Sequence, residues 1–122
     1  MLGDTLVFTL GGTGGSARTL NKINQDGYAS EYLYRSSTDE IRARVRHTRE
    51  SVRAGKPVME RHNVELTQTV FATATAPEFV RQSYVVFRNQ IGDDLALNID
   101  VSEALAYFLT GVNLLKLAGW ES

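Results

Sequence analysis

Between Glu40 and Val52 the chain alternates: Ile41, Ala43 and Val45 are apolar, and Arg42, Arg44 and Arg46 between them are cationic. Period two is the repeat of a strand with one covered face. Wound as a helix, the three arginines would spread around the cylinder and the apolar positions would form no stripe. Val58 to Phe71 alternates again, with His62, Val64, Leu66 and Val70 on one parity and Arg61, Asn63, Glu65, Thr67 and Thr69 on the other. Phe79 to Ile91 is a third β-prone run, in which Tyr84 and Arg88 share a parity. Upstream, Thr5–Leu10 is β-prone, and Gly11-Gly12-Thr13-Gly14-Gly15 permits a sharp reversal into Ser16–Ile23, which predicts a hairpin. Asn24-Gln25-Asp26-Gly27 marks the next turn, and aromatic-rich Tyr28 to Arg35 reads as one strand or two short ones. Arg53–Pro57 is a turn, and Ala72–Glu78 is a loop of small residues closed by Pro77.

After Gly92-Asp93-Asp94 the period changes. Asp100, with Glu103 three residues on, makes a capping box, and Ala104, Leu105, Phe108 and Leu109 follow at helical spacing. Gly111 breaks or bends this helix, and 112–118 forms a second. The order predicts an α+β fold with the helices packed on one sheet face. The 122 residues suit one domain over 1–122, with the hairpin in 1–24, an antiparallel sheet in 27–92 and the helices in 100–119.

Hydrophobic residues at 43% and charged residues at 22% give an ordinary globular balance. No stretch approaches the roughly 18 consecutive apolar residues of a membrane span. Met1-Leu2-Gly3-Asp4 has neither a basic segment nor a long apolar run, so no secretion signal is expected. Without cysteine the chain has no disulfides or thiolate metal sites. The net charge of -1 conceals an asymmetry. Arg42, Arg44, Arg46, Arg49, Arg53, Lys56 and Arg61 crowd the middle against Glu50 and Glu60, and the end carries Asp93, Asp94, Asp100, Glu103 and Glu121 against Lys116. Like charges side by side on a sheet destabilise it, so an arginine row is expected to face a polyanion. Guanidinium groups suit phosphate oxygens, and Tyr84 beside Arg88 could stack on a base.

Other chemistries are weaker. Gly12-Thr13-Gly14-Gly15-Ser16-Ala17 matches a dinucleotide fingerprint after a strand, but 18–23 is too short for the helix that fingerprint requires, and a hairpin turn is the better reading. His47 and His62 share the apolar parity, which favours a structural role over catalysis, and no nucleophile-elbow motif accompanies Ser83 or Ser102. Asp93-Asp94 could contribute to a calcium site between subunits, although a solvated turn is the simpler reading. No cofactor and no enzymatic activity are expected.

Long ordered segments then carry a resemblance. Leu2-Gly3-Asp4-Thr5-Leu6, Leu10-Gly11-Gly12, 22–28 (Lys-Ile-Asn-Gln-Asp-Gly-Tyr), Val45-Arg46-His47-Thr48, 60–65 (Glu-Arg-His-Asn-Val-Glu), 77–82 (Pro-Glu-Phe-Val-Arg-Gln) and Gly119-Trp120-Glu121-Ser122 are similar to coat proteins of single-stranded RNA bacteriophages (leviviruses), above all the Caulobacter phage type. The resemblance implies an N-terminal hairpin, a five-stranded antiparallel sheet and two C-terminal helices that cross the partner's sheet. The result would be an interlocked homodimer with a continuous ten-stranded sheet, in which Leu105, Phe108, Leu109, Val112 and Leu115 are buried by the second subunit. It further implies an icosahedral T=3 virion shell assembled in the bacterial host cytoplasm, with the 72–78 loop at the symmetry axes. The inner sheet face would bind single-stranded RNA through Arg42, Arg44, Arg46, Arg61, Asn63, Glu65 and Tyr84. Well-studied relatives also capture an RNA hairpin and so repress replicase translation. Their adenine pockets use small hydroxyl residues where this chain has Arg44, Arg46 and Arg61, which favours general phosphate binding here.

Overall fold

The computed structural model describes residues 2–121. Six strands, β1 (Thr5–Leu10), β2 (Ser16–Asp26), β3 (Ala29–Arg35), β4 (Asp39–Arg49), β5 (Met59–Val70) and β6 (Phe79–Gln90), precede the helices α1 (Leu95–Phe108) and α2 (Gly111–Ala118). Each strand pairs antiparallel with its neighbour in the chain, in the order β1-β2-β3-β4-β5-β6. The N-terminal hairpin is therefore part of one six-stranded sheet rather than an element beside a five-stranded one, because β2 runs on to Asp26 and pairs with β3. The glycine segment is its turn. A Cβ on Gly15 would lie 1.9 Å from the Leu10 carbonyl oxygen, so only glycine fits this close approach.

A bulge between Lys22 and Asn24 leaves Ile23 as the extra residue on β2 and sharpens the local twist. Leu6, Phe8 and Leu10 of β1 pack against the buried cluster Leu20, Tyr32, Ile41 and Ala43, joined by Tyr34 and Leu66. The Tyr32 hydroxyl donates to the Gly3 carbonyl at 2.9 Å and so ties the N-terminal segment to β3. At the β3–β4 turn the buried carboxylate of Asp39 accepts from Ser36 Oγ at 2.7 Å and from Gln68 Nε2 on β5 at 2.9 Å. These two hydrogen bonds, Ser36 first, hold the Asp39 carboxyl below the usual range.

The helices depart in two ways from what periodicity alone suggests. α1 starts at Leu95, and its cap is Asp94, whose side chain accepts from Ala96 N, so Asp100 and Glu103 lie within the helix. Asp93 completes that start: its carboxylate takes Asp94 N and Asn98 Nδ2, each at 2.8 Å. The helices also do not pack on the sheet of their own chain, for neither has a buried residue. Phe108 is 53% and Leu115 76% exposed, Leu105 and Val112 are exposed, and Leu109 is half-buried. Gly111 opens α2 at 71° to α1, and neither helix alone is long and apolar enough to cross a membrane.

Candidate nucleic-acid interface

Strand register gathers the arginines on one face. Opposite residues in an antiparallel pair point the same way, and β4 sets Arg42 against Thr67, Arg44 against Glu65, Arg46 against Asn63 and Thr48 against Arg61. β5 in turn sets Arg61 against Arg88 and Glu65 against Tyr84. All eight residues singled out on this face, Arg42, Arg44, Arg46, Arg61, Asn63, Glu65, Tyr84 and Arg88, therefore share one side of β4–β6. Ile41, Ala43, Val45, Val64 and Leu66 point to the other side, with the core. Tyr84 is exposed, and Asn63 Oδ1 is buried with no hydrogen-bond partner among the described residues.

The row is not the uncompensated array that the sequence suggests. β3 brings Glu31 against Arg44 and β4 carries Glu40, so carboxylates are interleaved with the cations. Arg42 donates to Glu31 and, at 3.0 Å, to Glu40; Arg44 Nε lies 3.4 Å from Glu31, and Arg35 donates to Glu40 at 2.9 Å. The Arg42 hydrogen bond, with Arg44 nearby, holds the Glu31 carboxyl below its ordinary value, and Arg35 with Arg42 does the same to Glu40. Arg46 pairs with Glu65 at 2.9 Å, and Gln82 Nε2 takes that carboxylate's other oxygen, also at 2.9 Å. Arg42, 34% exposed, is largely occupied, while Arg44 at 47% and Arg46 at 49% keep open guanidinium surface.

Glu31 and Glu40 were missed by the sequence reading. The alternation of 29–35 contains the signal for Glu31, but its use requires the β3–β4 register. Arg88 forms a two-pronged pair with Glu50, Nε to Oε1 at 2.7 Å and Nη2 to Oε2 at 2.5 Å. Arg61 has no carboxylate within ion-pair distance among the described residues. Repulsion alone thus does not demand a polyanion here. Across β3–β6 the face still carries Arg35, Arg42, Arg44, Arg46, Arg61 and Arg88 against Glu31, Glu40, Glu65 and the Glu50 that pairs with Arg88, a net positive surface.

On the opposite face His47 Nδ1 lies 2.8 Å from His62 Nδ1, and His62 Nε2 donates to Asn89 Oδ1 at 2.7 Å while its ring packs on Phe87. Asn89 is buried and also donates to Glu60. The histidines thus stitch β4, β5 and β6 together at the edge of the core, as their parity indicates. No group of three or more metal-ligating side chains occurs among the described residues.

No curated protein matches the chain. The solved structure of the bacteriophage EMS014 coat protein is similar, with a TM-score of 0.69 and 17% identity over 87% of this chain and 72% of that one, a likeness of fold. A family model described as phage phiCb5, coat protein, matches residues 3–90. With all six strands of its sheet inside that match, the chain belongs to the phage phiCb5 coat protein family.

Proposed function

We propose that this coat protein forms a homodimer, assembles into an icosahedral shell and lines that shell with single-stranded RNA. The observation that carries the reading is the division of the sheet: a net positive face on one side of β4–β6, and on the other an apolar side whose remaining cover, α1 and α2, extends away from its own chain. Phe79, Val85 and Phe87 on β6 point to that apolar side and are exposed. β6 ends the sheet order and offers an edge twelve residues long. Such an edge invites pairing with another strand, and a second copy supplies both that strand and helices to cover the apolar side. Burying a Leu or Phe side chain contributes about 1.5–3 kcal/mol, so Leu105, Phe108, Leu109, Val112 and Leu115 together suffice for an obligate dimer.

The opposite face would then look inward. Half-exposed Arg44 and Arg46, with Arg61 and Tyr84, suit the phosphates and bases of RNA without a pocket that selects one base. General packaging is therefore the primary role, rather than hairpin-directed repression. Assembly would take place where the chain is made, in the host cytoplasm. Expression of the chain alone, followed by electron microscopy and nucleic-acid assay of the purified product, tests the reading. RNA-containing particles support it, and monomers by light scattering across ionic conditions count against it.

A further inference from the structure

At one corner of the positive face three cations have no carboxylate within ion-pair distance among the described residues. Arg61 of β5 and Arg53 and Lys56 of the 50–58 loop surround a cleft of about 790 Å³, lined also by Arg88 and by Arg49, which pairs with Glu60; among the described residues Glu50 is the one acid lining it. The Glu50 carboxylate sits in the guanidinium fork of Arg88, one oxygen on Nε at 2.7 Å and the other on Nη2 at 2.5 Å. The Arg88 hydrogen bond, helped by the charges of Arg88, Arg61 and Arg53, holds the Glu50 carboxyl below its ordinary pKa. Once Arg88 is satisfied, Arg53, Lys56 and Arg61 remain, so the cleft keeps an excess of positive charge.

A carboxylate held by both oxygens in a guanidinium fork occupies the place of a phosphodiester, which likewise shares one negative charge between two oxygens and suits the same fork. We propose that this corner is a phosphodiester-binding site for single-stranded RNA, and that Glu50 is an internal occupant which the RNA backbone displaces. The pair is open to solvent, with Arg88 51% and Glu50 32% exposed, and exchange of one exposed anion for another meets little resistance. Thr48 and Ser51 line the cleft too and supply hydroxyl donors for a phosphate. The inference rests on the RNA-lining reading and deepens it, because it moves the strongest phosphate contact from the glutamate-paired rows of β4 to the 50–58 loop. Another occupant of matching charge is the Asp93-Asp94 turn of a second copy; RNA is favoured because Arg61 and Arg88 continue the face on which the other arginines lie.

The test uses the full chain and a labelled twenty-nucleotide oligoadenylate, with fluorescence anisotropy over a series of salt concentrations. Glu50→Gln keeps the shape of the side chain and removes the competing charge; it is expected to bind at least about threefold more tightly than the parent at low salt. Arg53→Ala with Lys56→Ala is expected to bind at least about threefold more weakly, with a salt slope shallower by about 0.7 per lost contact. Arg88→Lys keeps the charge but not the fork, and is expected to weaken binding as well. Glu50→Gln binding no better than the parent, or an unaltered Arg53→Ala, Lys56→Ala variant, overturns the proposal. A change confined to subunit association, with RNA affinity constant, overturns it in favour of the acidic turn of a second copy. Arg44→Ala with Arg46→Ala serves as the reference. If that variant binds more weakly while the corner variants match the parent, only the corner proposal fails; if every variant matches the parent, the RNA-lining reading fails with it.

Discussion

Glu65 stands opposite Arg44 in the β4–β5 register, yet its carboxylate accepts from Arg46, one step along the face, at 2.9 Å. Diagonal neighbours on a sheet are within reach of long side chains, and this offset leaves Arg44 leaning toward Glu31 on β3 instead. Each guanidinium is oriented by a carboxylate but not enclosed by it. Exposed pairs of this kind are worth about 0–1 kcal/mol, so a phosphate can replace a carboxylate without a large penalty.

Arg44→Ala combined with Arg46→Ala is therefore expected to lower the RNA content of purified particles. The logarithmic salt slope of RNA binding should become shallower by about 0.7 for each lost phosphate contact. Absorbance ratios of the particles and binding titrations check this. An unaltered RNA content and slope would show that these side chains do not touch RNA.

The helix side chains give a prediction with an unusual separation of effects. Leu105, Phe108, Val112 and Leu115 are exposed within the chain. Leu105→Ala with Phe108→Ala should hardly change the cohesion of the six-stranded sheet itself. Each should weaken dimerisation by about 1.5–3 kcal/mol if a second copy buries it. Light scattering at decreasing concentration should reveal monomers in the variant where the parent remains dimeric. Equal association of the two would place the dimer contact elsewhere.

Acid should weaken the sheet through specific carboxylates. Asp39, Glu31 and Glu40 are held below their ordinary values of 3.8, 4.5 and 4.5. A carboxyl depressed in the folded state contributes stability that is fully present above its unfolded pKa. That stability is lost as the pH falls through the folded value. Urea midpoints should thus stay level on this account above about pH 5 and fall below about pH 4. Asp39→Asn should lower the midpoint at neutral pH and reduce the fall in acid, since the buried carboxylate joins Ser36 to Gln68.

Gly15→Ala should destabilise the hairpin strongly, because its Cβ would meet the Leu10 carbonyl oxygen at 1.9 Å and the backbone would have to move. Thermal melting should show a loss of roughly 1–3 kcal/mol, the usual scale of local backbone strain. A melting curve equal to that of the parent would mean that the turn is not built as described.

Strands were easy to read because a sheet with one covered face writes itself as alternation, and the parity of Arg42, Arg44 and Arg46 against Ile41, Ala43 and Val45 survives in the structure. The glycine segment was legible as a turn because nothing after Ser16 could form the helix that a dinucleotide site requires. The start of α1 was hidden for a physical reason. Leu95, Leu97, Ile99 and Val101 are all exposed and fall at every second position, so the first turns show no helical stripe. Asp94, the true cap, lies inside what reads as a turn. Glu31 and Glu40 escaped notice because pairing across strands depends on register, which is fixed here by the Ser36–Asp39 turn and by the reach of Gln68 to Asp39. Periodicity alone could not place the helices, because apolar spacing states that a face must be covered, not which chain covers it.

One measurement bears most directly on the shell and its lining: cryo-electron microscopy of the purified chain, expressed without any other phage component. Closed shells should appear, built from dimers joined at β6, with density against Arg44, Arg46 and Arg61 on the inner wall and nucleic acid in the extracted particle. Shells with that face turned outward, or a uniform population of monomers free of RNA, would contradict it.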